Sequence, residues 1–367
     1  MKRSVLLTCW LSAAALLLAV SCASSPGAAG THQPASSGTA AIPKLYLPTI
    51  TQESVVTPGS GGYAAFFGRG AAGPVIPGLA QQGVPQGLAA SESGDTLYIS
   101  AYFDGGAPSA LFVLDGGSGR LRKTLWLAEP DGAPLFGHVG GVAASLSHLW
   151  IASEGGVYQY DLRAVEEARD GELLRSVRFI RTATDASFAT YSDGVLWIGE
   201  FAYFGPGGPE EYRTPPSHFF SAPDGSLHQA LVAGYRLDPA TDSLRGAAER
   251  ADLLLSIPDL VQGIAFSAGK VCLSRSYGRK NDSRIECYAD PTGGTPTEHA
   301  SAEGLRGVPL WFLSDRIRGA SMIAPPMTEG LTFYRGSLAV LFESAALRYR
   351  FTGSFPIDRI FMIKMSM

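Results

Sequence analysis

Three features of the sequence predict an all-β fold. Gly and Pro are frequent, at 44 and 24 of 367 residues, and only 17% of the residues are charged. Residues 84–127 contain four short runs rich in Val, Leu, Ile, Tyr and Phe, separated by Gly, Ser, Asp and Pro. The same succession of runs and turns returns four more times along the chain. Recurring antiparallel hairpins are typical of a radial array of sheets, so we predict a five-bladed β-propeller with four antiparallel strands per blade. Six blades are the alternative.

Residues 1–22 have the composition of an export signal. Lys2 and Arg3 precede an apolar run that is too short to cross a membrane as a helix. The last four residues, Ala-Val-Ser-Cys, resemble the lipobox of bacterial lipoproteins, which implies that Cys22 carries a diacylglycerol. We therefore expect an extracytoplasmic lipoprotein anchored to a bacterial membrane, and a secreted protein is the alternative.

Residues 23–62 are predicted to be a flexible linker. They are rich in Ser, Ala, Gly, Thr and Pro, and they would bury too little apolar surface to offset the entropy lost on ordering. The propeller is then expected to occupy residues 63–367. Two placements are open for residues 61–83, which could add strands to a sixth blade or close the ring beside the C-terminal strand.

The charge distribution argues against a nucleic-acid partner. The formal net charge is −4, and it becomes −6 once Lys2 and Arg3 leave with the leader. No basic run occurs anywhere in the chain. We expect a monomer that contacts a membrane only through the N-terminal lipid.

The cysteines agree with export. Cys9 leaves with the leader and Cys22 would carry lipid, which leaves Cys272 and Cys287. These two lie on consecutive predicted strands at near-equal distances from the turn at residues 280–282. We predict a cross-strand disulfide, with two buried free thiols as the alternative.

The later blades carry insertions. A short, helical segment is expected at residues 164–170, and a long interruption of the third blade at residues 203–231. The fourth strand of blade 4 is predicted at residues 308–314. In blade 5, residues 346–353 are predicted to be the third strand.

Propeller geometry predicts where a site would lie. The first strand of each blade lines the channel and the second returns antiparallel, so first-strand starts and second-strand ends gather at one mouth. The predicted starts are all polar, and several precede a Gly that permits close approach of two backbones. These residues are Gln86, His138, Ser187, Gln262 and Glu329. The second-strand ends contribute Tyr102, Glu154, Glu200, Arg275 and Glu343.

Converging charges favour this mouth as a functional site. Carboxylates that lie close together shift one another's pKa values, which is common at catalytic and binding sites. The interruption at residues 203–231 lies on the same rim, and Tyr203 with its aromatic neighbours would form a lid or wall. The alternatives are a polar channel that binds only water and an insertion without function.

Two phrases carry a resemblance to known families. With the strand rhythm, PQGL and VQGIAF resemble secreted bacterial propellers of the NHL and SMP-30-like kind. The lactonases among them imply carboxylates that hold a divalent cation. Gln86-Gly87-Leu88 is also similar to the first blade of five-bladed glutaminyl cyclases, whose next strand carries a Glu where this chain has Ile99 and Ser100.

Two classes of function remain open. The first is binding of a small polar molecule or glycan, with hydrogen bonds from Gln86, Ser187 and Gln262 and stacking on the aromatic insertion. The second is a carboxylate-based enzyme, either a glycoside or lactone hydrolase or a ring-forming or isomerising lyase. Its acid–base candidates are Glu200, Glu329, Glu343 and His138. We predict no cofactor and no metal ligands, with calcium as the alternative, because no zinc, phosphate-loop or nucleophile-elbow motif occurs.

Overall fold

The computed structural model describes residues 45–56, 61–245 and 250–364. Within these ranges the chain forms five antiparallel four-stranded blades, which confirms the predicted five-bladed β-propeller. The inner strand of each blade contacts the inner strand of the next, and the fifth contacts the first, so the ring is closed. The predicted leader, the predicted lipidation site Cys22 and residues 23–44 and 57–60 of the predicted linker lie outside the described residues.

The first two blades follow the predicted strand pattern. From the channel outwards, the strands of blade 1 are Gly83–Ala90, Thr96–Phe103, Ala110–Asp115 and Leu121–Ala128. Those of blade 2 are Val142–Ala144, His148–Ser153, Gly156–Asp161 and Arg178–Arg181. Leu173–Arg175 leaves blade 2 and pairs in parallel with the outer strand of blade 1.

The remaining blades have the same layout. The strands of blade 3 are Phe188–Ser192, Val195–Gly199, Ala230–Arg236 and Leu253–Ile257. Those of blade 4 are Val261–Ser267, Lys270–Arg275, Ser283–Ala289 and Arg318–Ala324. Those of blade 5 are Thr328–Tyr334, Ser337–Phe342, Arg359–Ile363 and Gly70–Val75.

Short elements decorate this frame. The insertion in blade 3 forms a small hairpin, and the predicted helical segment of blade 2 is a helix that Asp161 caps by accepting from the Arg163 N–H at 2.8 Å. The hairpin strands are Phe220–Ser221 and Leu227–His228. The α-helices are Ala64–Phe67 and Leu162–Glu167, and the 3₁₀ helices are Leu79–Gln81, Glu210–Tyr212 and Pro216–His218.

Two predicted strands are wrong. Pro309–Phe312, in the segment predicted as the outer strand of blade 4, pairs in parallel with blade 3, and Glu298–His299 extends the same edge. The true outer strand of blade 4, Arg318–Ala324, is mostly exposed, so it lacks the apolar run that marks a buried strand. Residues 346–353 form successive turns, because the Tyr349 and Arg350 N–H groups donate back to the Ala346 carbonyl.

An N-terminal strand closes the ring. Gly70–Val75 pairs antiparallel with Arg359–Ile363, which confirms the second placement foreseen for residues 61–83. Residues 45–56, within the segment predicted to be a linker, lie against the propeller. Gln52 Nε2 donates to the Val75 carbonyl at 2.8 Å, and the buried Asp358 accepts from Ser54 Oγ at 2.6 Å.

The core lies between the blades. Each blade packs face to face with its neighbours, so the middle strands are largely buried on both faces and mostly apolar. Ala110–Asp115 is an example, with five of its six residues buried. The apolar runs that predicted the blades are therefore the contacts between blades.

Glycines allow the inner strands to meet at the channel. A Cβ on Gly87 would lie 2.3 Å from the Val142 nitrogen of the next blade. One on Gly140 would lie 2.0 Å from the Ser187 carbonyl oxygen. Real Cβ atoms do not approach other atoms so closely, so the ring depends on glycine at these positions.

The predicted disulfide between Cys272 and Cys287 is confirmed. The two residues lie directly opposite each other on adjacent strands of blade 4, and both are buried. The two cysteines are 15 positions apart in the sequence, so the disulfide closes a covalent loop of about that length.

Gly87→Ala is expected to lower the free energy of unfolding by about 1–3 kcal/mol, as overpacking does. Gly293→Ala is the matched control, because its Cβ would meet nothing within 4 Å. We expect its stability to stay within about 0.5 kcal/mol of the parent in chemical denaturation. Equal stability of the two variants would show that the inner strands separate without cost.

Replacing both Cys272 and Cys287 by Ala is expected to lower the free energy of unfolding by about 3 kcal/mol, since a 15-residue loop is no longer closed in the unfolded chain. Chemical denaturation measures the difference, with the parent protein under reducing conditions as the control. Two free thiols in the mass spectrum of the unreduced protein would contradict the pairing.

Candidate functional site

Three inner strands carry a β-bulge at the predicted polar residue. The register between first and second strand shifts across Gln86 in blade 1, across Gln262 in blade 4 and across Glu329 in blade 5. A bulge inserts an extra residue and re-aims its side chain, and such irregularities are frequent beside functional sites. The polar residues that precede a glycine in the sequence are therefore the positions at which the hydrogen-bond pattern between the first and second strands is interrupted.

A strained residue fixes the start of the blade 5 strand. Met327 has a left-handed φ of 66°, which is unfavourable for a residue other than glycine. Its N–H donates to Ser276 Oγ at 3.1 Å, and its carbonyl accepts from the Glu343 N–H at 3.2 Å. These bonds hold Glu343 beside the strand that begins with Thr328 and Glu329.

Glu329 and Glu343 form a carboxyl pair at the channel mouth. Glu329 is only 3% exposed, Glu343 is half-buried, and their side chains are hydrogen-bonded to each other. Gln86 Nε2 donates to Glu343 Oε2 at 3.1 Å and to the Pro85 carbonyl at 3.0 Å. Blade 5 therefore supplies both acids, and blade 1 supplies the amide that orients one of them.

Above about pH 7 the two carboxyl groups hold one proton between them, because the pKa values of both are raised. Desolvation, the charge of Glu343 and the hydrogen bond between them raise the pKa of Glu329 well above its usual range. Desolvation also raises the pKa of Glu343 to about 7, against the hydrogen bonds from Gln86 and Glu329 and the charges of Arg348 and Arg279. Protonated Glu329 thus donates to Glu343, which exchanges its own proton near pH 7.

Aromatic side chains border the pair. The hydroxyl groups of Tyr102 and Tyr349 are hydrogen-bonded at 3.2 Å, and burial together with the charge of Glu343 raises the pKa of both phenols. The His138 ring lies 4.8 Å from the Tyr102 ring, between centroids. The His138 residue is partly accessible to solvent. Desolvation of its ring by the surrounding protein, followed by the charge of Arg348, lowers its pKa to about 4. Its imidazole is therefore neutral at pH 7.

Two arginines lie near the pair, and sequence reasoning missed both. Arg348 forms an ion pair with Asp104 at 2.8 Å, and the Arg279 guanidinium lies 4.9 Å from the centre of the Tyr349 ring. Arg348 and Tyr349 belong to the turns that were predicted to be a strand. A polar Arg-Tyr-Arg run within an apolar strand pattern is the signal that could have identified them.

Glu200 lies apart from this carboxyl pair. It is completely buried, and its Oε1 accepts from His218 Nδ1 at 2.8 Å and from the Leu231 N–H at 3.0 Å. Glu200 and His218 line a cleft of about 450 Å³ that does not include Glu329 or Glu343. His218 belongs to the blade 3 insertion, in which the sequence analysis had identified only the aromatic residues as candidates.

Arg275 and Tyr203 also lie elsewhere. Arg275 pairs with Asp259 at 2.7 Å and with the buried Glu286 at 3.2 Å, so its guanidinium is engaged in an ion-pair network. Tyr203 packs on Tyr277 with 4.1 Å between ring centroids and lines a second cavity of about 230 Å³ together with Arg275. The aromatic insertion therefore forms a wall over blade 4.

The other three predicted residues, Glu154, Ser187 and Gln262, have separate local surroundings. Glu154 is exposed in a two-residue hairpin turn, where it has a left-handed φ of 35°. Ser187 Oγ donates to the Asp185 carbonyl at 3.0 Å. Gln262 is half-buried and precedes a glycine that lies against the Glu329 carbonyl.

The described part of the chain offers no candidate metal centre. No group of three or more His, Cys, Asp or Glu side chains there is arranged to hold a metal ion. Among the same residues, no helix is both long and apolar enough to pass through a bilayer.

Glu343→Gln is expected to weaken the pH dependence of stability. The folded state retains protons that the unfolded chain loses above its ordinary glutamate pKa of 4.5. The free energy of unfolding should therefore fall as pH rises from about 4.5 to about 7 and beyond. We expect this fall to be smaller by about 1–3 kcal/mol in the variant. Denaturation at a series of pH values tests this, with Glu154→Gln as control; a parent curve that does not fall would contradict the raised pKa values.

Comparison with known proteins gives only structural similarity at low sequence identity. No protein-family profile matches the sequence, and no curated protein matches it. Among solved structures, glutaminyl cyclase from Myxococcus xanthus is similar, with 12% identity, a TM-score of 0.39, and coverage of 77% of this chain and 90% of that chain. The GH43_1 enzyme from Xanthomonas citri, complexed with xylose, has 12% identity, a TM-score of 0.43 and coverage of 83% and 92%.

Regucalcin from Agrobacterium tumefaciens, described as a calcium-binding protein, is also similar. It has 13% identity, a TM-score of 0.33, and coverage of 76% of this chain and 89% of that chain. Identities this low carry nothing about activity. The assignment of this chain as a five-bladed propeller rests on its own strand pairing and ring closure.

Proposed function

We propose that the channel mouth binds a small polar molecule and that Glu329 and Glu343 transfer a proton from and to that molecule. The single observation that carries the proposal is the pairing of two carboxyl groups, the buried Glu329 and the half-buried Glu343, with the Gln86 amide donating to Glu343 at 3.1 Å. A general base works best when its pKa lies near the operating pH, and Glu343 meets this condition at about 7. The reaction class is isomerisation or ring closure within one substrate.

Each member of the pair has one role. Glu343 is half-buried, so its carboxylate can reach a bound molecule and accept a proton. Glu329 is almost completely buried and remains protonated, which stabilises the charge on Glu343 and supplies a proton to the pair. One proton leaves the substrate and one returns to another of its atoms, so no net proton is taken up.

The surrounding groups suit binding of a polar molecule. Gln86 fixes the orientation of the Glu343 carboxylate, and neutral His138 can donate or accept a hydrogen bond. Tyr102 and Tyr349 offer hydroxyl groups and ring edges, while Arg348 adds a positive charge nearby. The pocket therefore combines one exchangeable proton with both donor and acceptor groups.

Glycoside hydrolysis by this pair is disfavoured because the two side chains lie close enough to interact directly. Retaining glycosidases hold their two carboxyl groups about 5–5.5 Å apart, and inverting ones about 6.5–9.5 Å apart. Glu200 does not supply the missing partner, because His218 and Leu231 engage it in another cleft.

Binding without chemistry is the second candidate. Tyr102 and His138 offer adjacent rings at 4.8 Å, on which a sugar or another ring could stack. In that case the carboxyl pair would supply only hydrogen bonds to the ligand.

We further propose that the protein acts outside the cytoplasm. The disulfide between Cys272 and Cys287 suits an oxidising compartment. The lipobox-like ending of the leader supports attachment of a diacylglycerol to Cys22, which would hold the propeller at a membrane surface. Globomycin sensitivity of processing and labelling with radioactive palmitate, each lost in Cys22→Ser, test the lipid.

Glu343→Gln and Glu329→Gln are expected to lower turnover by about 100-fold or more, as loss of a general acid or base does. A thermal-shift panel of lactones, sugars and glutaminyl peptides identifies a ligand. Product formation and deuterium uptake from D2O, both followed by NMR, then measure turnover. In the parent protein kcat/KM should rise as pH passes through about 7, because Glu343 must lose its proton.

Glu154→Gln provides the matched control, since this glutamate is exposed on the same rim and should leave turnover unchanged. A ligand that the parent binds without product or deuterium uptake would support the second candidate. Full turnover in both Glu329→Gln and Glu343→Gln would reject proton transfer by the carboxyl pair.

A further inference from the structure

A second cleft lies between blades 2 and 3. Its volume is about 450 Å³, within the usual range for small-molecule sites. Its lining includes Arg181, Thr184, Asp185, Glu200 and His218. The cleft shares no residue with the carboxyl pair at the channel mouth.

His218 presents one nitrogen to this cleft. Glu200 accepts only from N–H groups, those of His218, Leu231 and Asp185, as a carboxylate would. His218 Nδ1 is therefore a protonated nitrogen, and in the neutral imidazole Nε2 is left as the acceptor. The side chain is only 8% exposed, and Nε2 has no hydrogen-bond partner among the described residues. A buried acceptor aimed into a cleft calls for a donor from a ligand.

The charges of the cleft favour a cation. Glu200 and Asp185 are both acidic, and neither forms an ion pair with an arginine or lysine of the described chain. Asp185 is exposed at the cleft, and desolvation by the neighbouring protein raises its pKa, so a positive neighbour would stabilise its carboxylate. Arg181 is exposed at the edge of the cleft and lies beyond ion-pair distance of Asp185.

We propose that this cleft is a second binding site for a small molecule carrying a primary ammonium group. An ammonium has three N–H donors and no acceptor. His218 Nε2 and the Asp185 carboxylate accept two of the three, and the remaining one faces water or the carbonyl groups of residues 182–184. The buried Glu200 carboxylate holds the imidazole in the required tautomer and adds negative potential below the ligand.

The test uses benzylamine, with benzyl alcohol as the neutral probe of matched shape. Titration calorimetry or ligand-observed NMR on the full protein at pH 7.5 gives both affinities. We expect benzylamine to bind at least about tenfold more tightly than benzyl alcohol. Equal affinities, or no saturable benzylamine binding up to about 10 mM, would overturn the proposal.

Variants assign the binding to this cleft. Asp185→Asn removes the charge, and His218→Asn keeps a donor for Glu200 while removing the acceptor Nε2; each should weaken benzylamine binding by about tenfold. Asp193→Asn is the matched control, because Asp193 is in a hairpin turn and does not line the cleft. Glu343→Gln should leave benzylamine binding unchanged, which separates this site from the channel mouth. Unchanged binding in both cleft variants, with thermal stability retained, would refute the assignment.

Discussion

The inner strands of adjacent blades approach one another so closely that their backbones are in contact around the channel. Glycine is required where two strands meet, because a Cβ on Gly87 or Gly140 would overlap the next blade. The bulges beside these contacts add one residue to the inner strand and re-aim a polar side chain. The same short segments, a bulged polar residue followed by glycine, therefore provide both the tight packing at the channel and the polar groups at its mouth.

The carboxyl pair depends on ring closure. Glu343 belongs to blade 5 and Gln86 to blade 1, so the bond between them crosses the junction that Gly70–Val75 completes with Arg359–Ile363. Burying two carboxylates side by side is costly, and sharing one proton removes most of the repulsion. The geometry of a site at this junction therefore depends on the stable pairing that closes the ring between blades 5 and 1.

The propeller keeps its buried acids in different electrostatic settings. Glu329 and Glu343 share a proton, whereas Glu200 is bonded to His218 and Glu286 to Arg275. Each partner comes from a different part of the fold: the next strand, the blade 3 insertion, or an adjacent strand of blade 4. The same residue type can therefore take part in acid–base exchange, in holding an imidazole, or in an ion-pair network.

The sequence by itself favoured five blades over six and the disulfide over two free thiols, and it identified the polar residues near the starts of the inner strands. These follow from local patterns, since apolar runs, turn residues and near-symmetric cysteine spacing act over a few neighbouring residues. The tertiary structure alone decided that Pro309–Phe312 joins blade 3, that Glu200 bonds to His218, and that Glu329 and Glu343 share a proton. Those outcomes depend on contacts between distant segments, which no local pattern encodes.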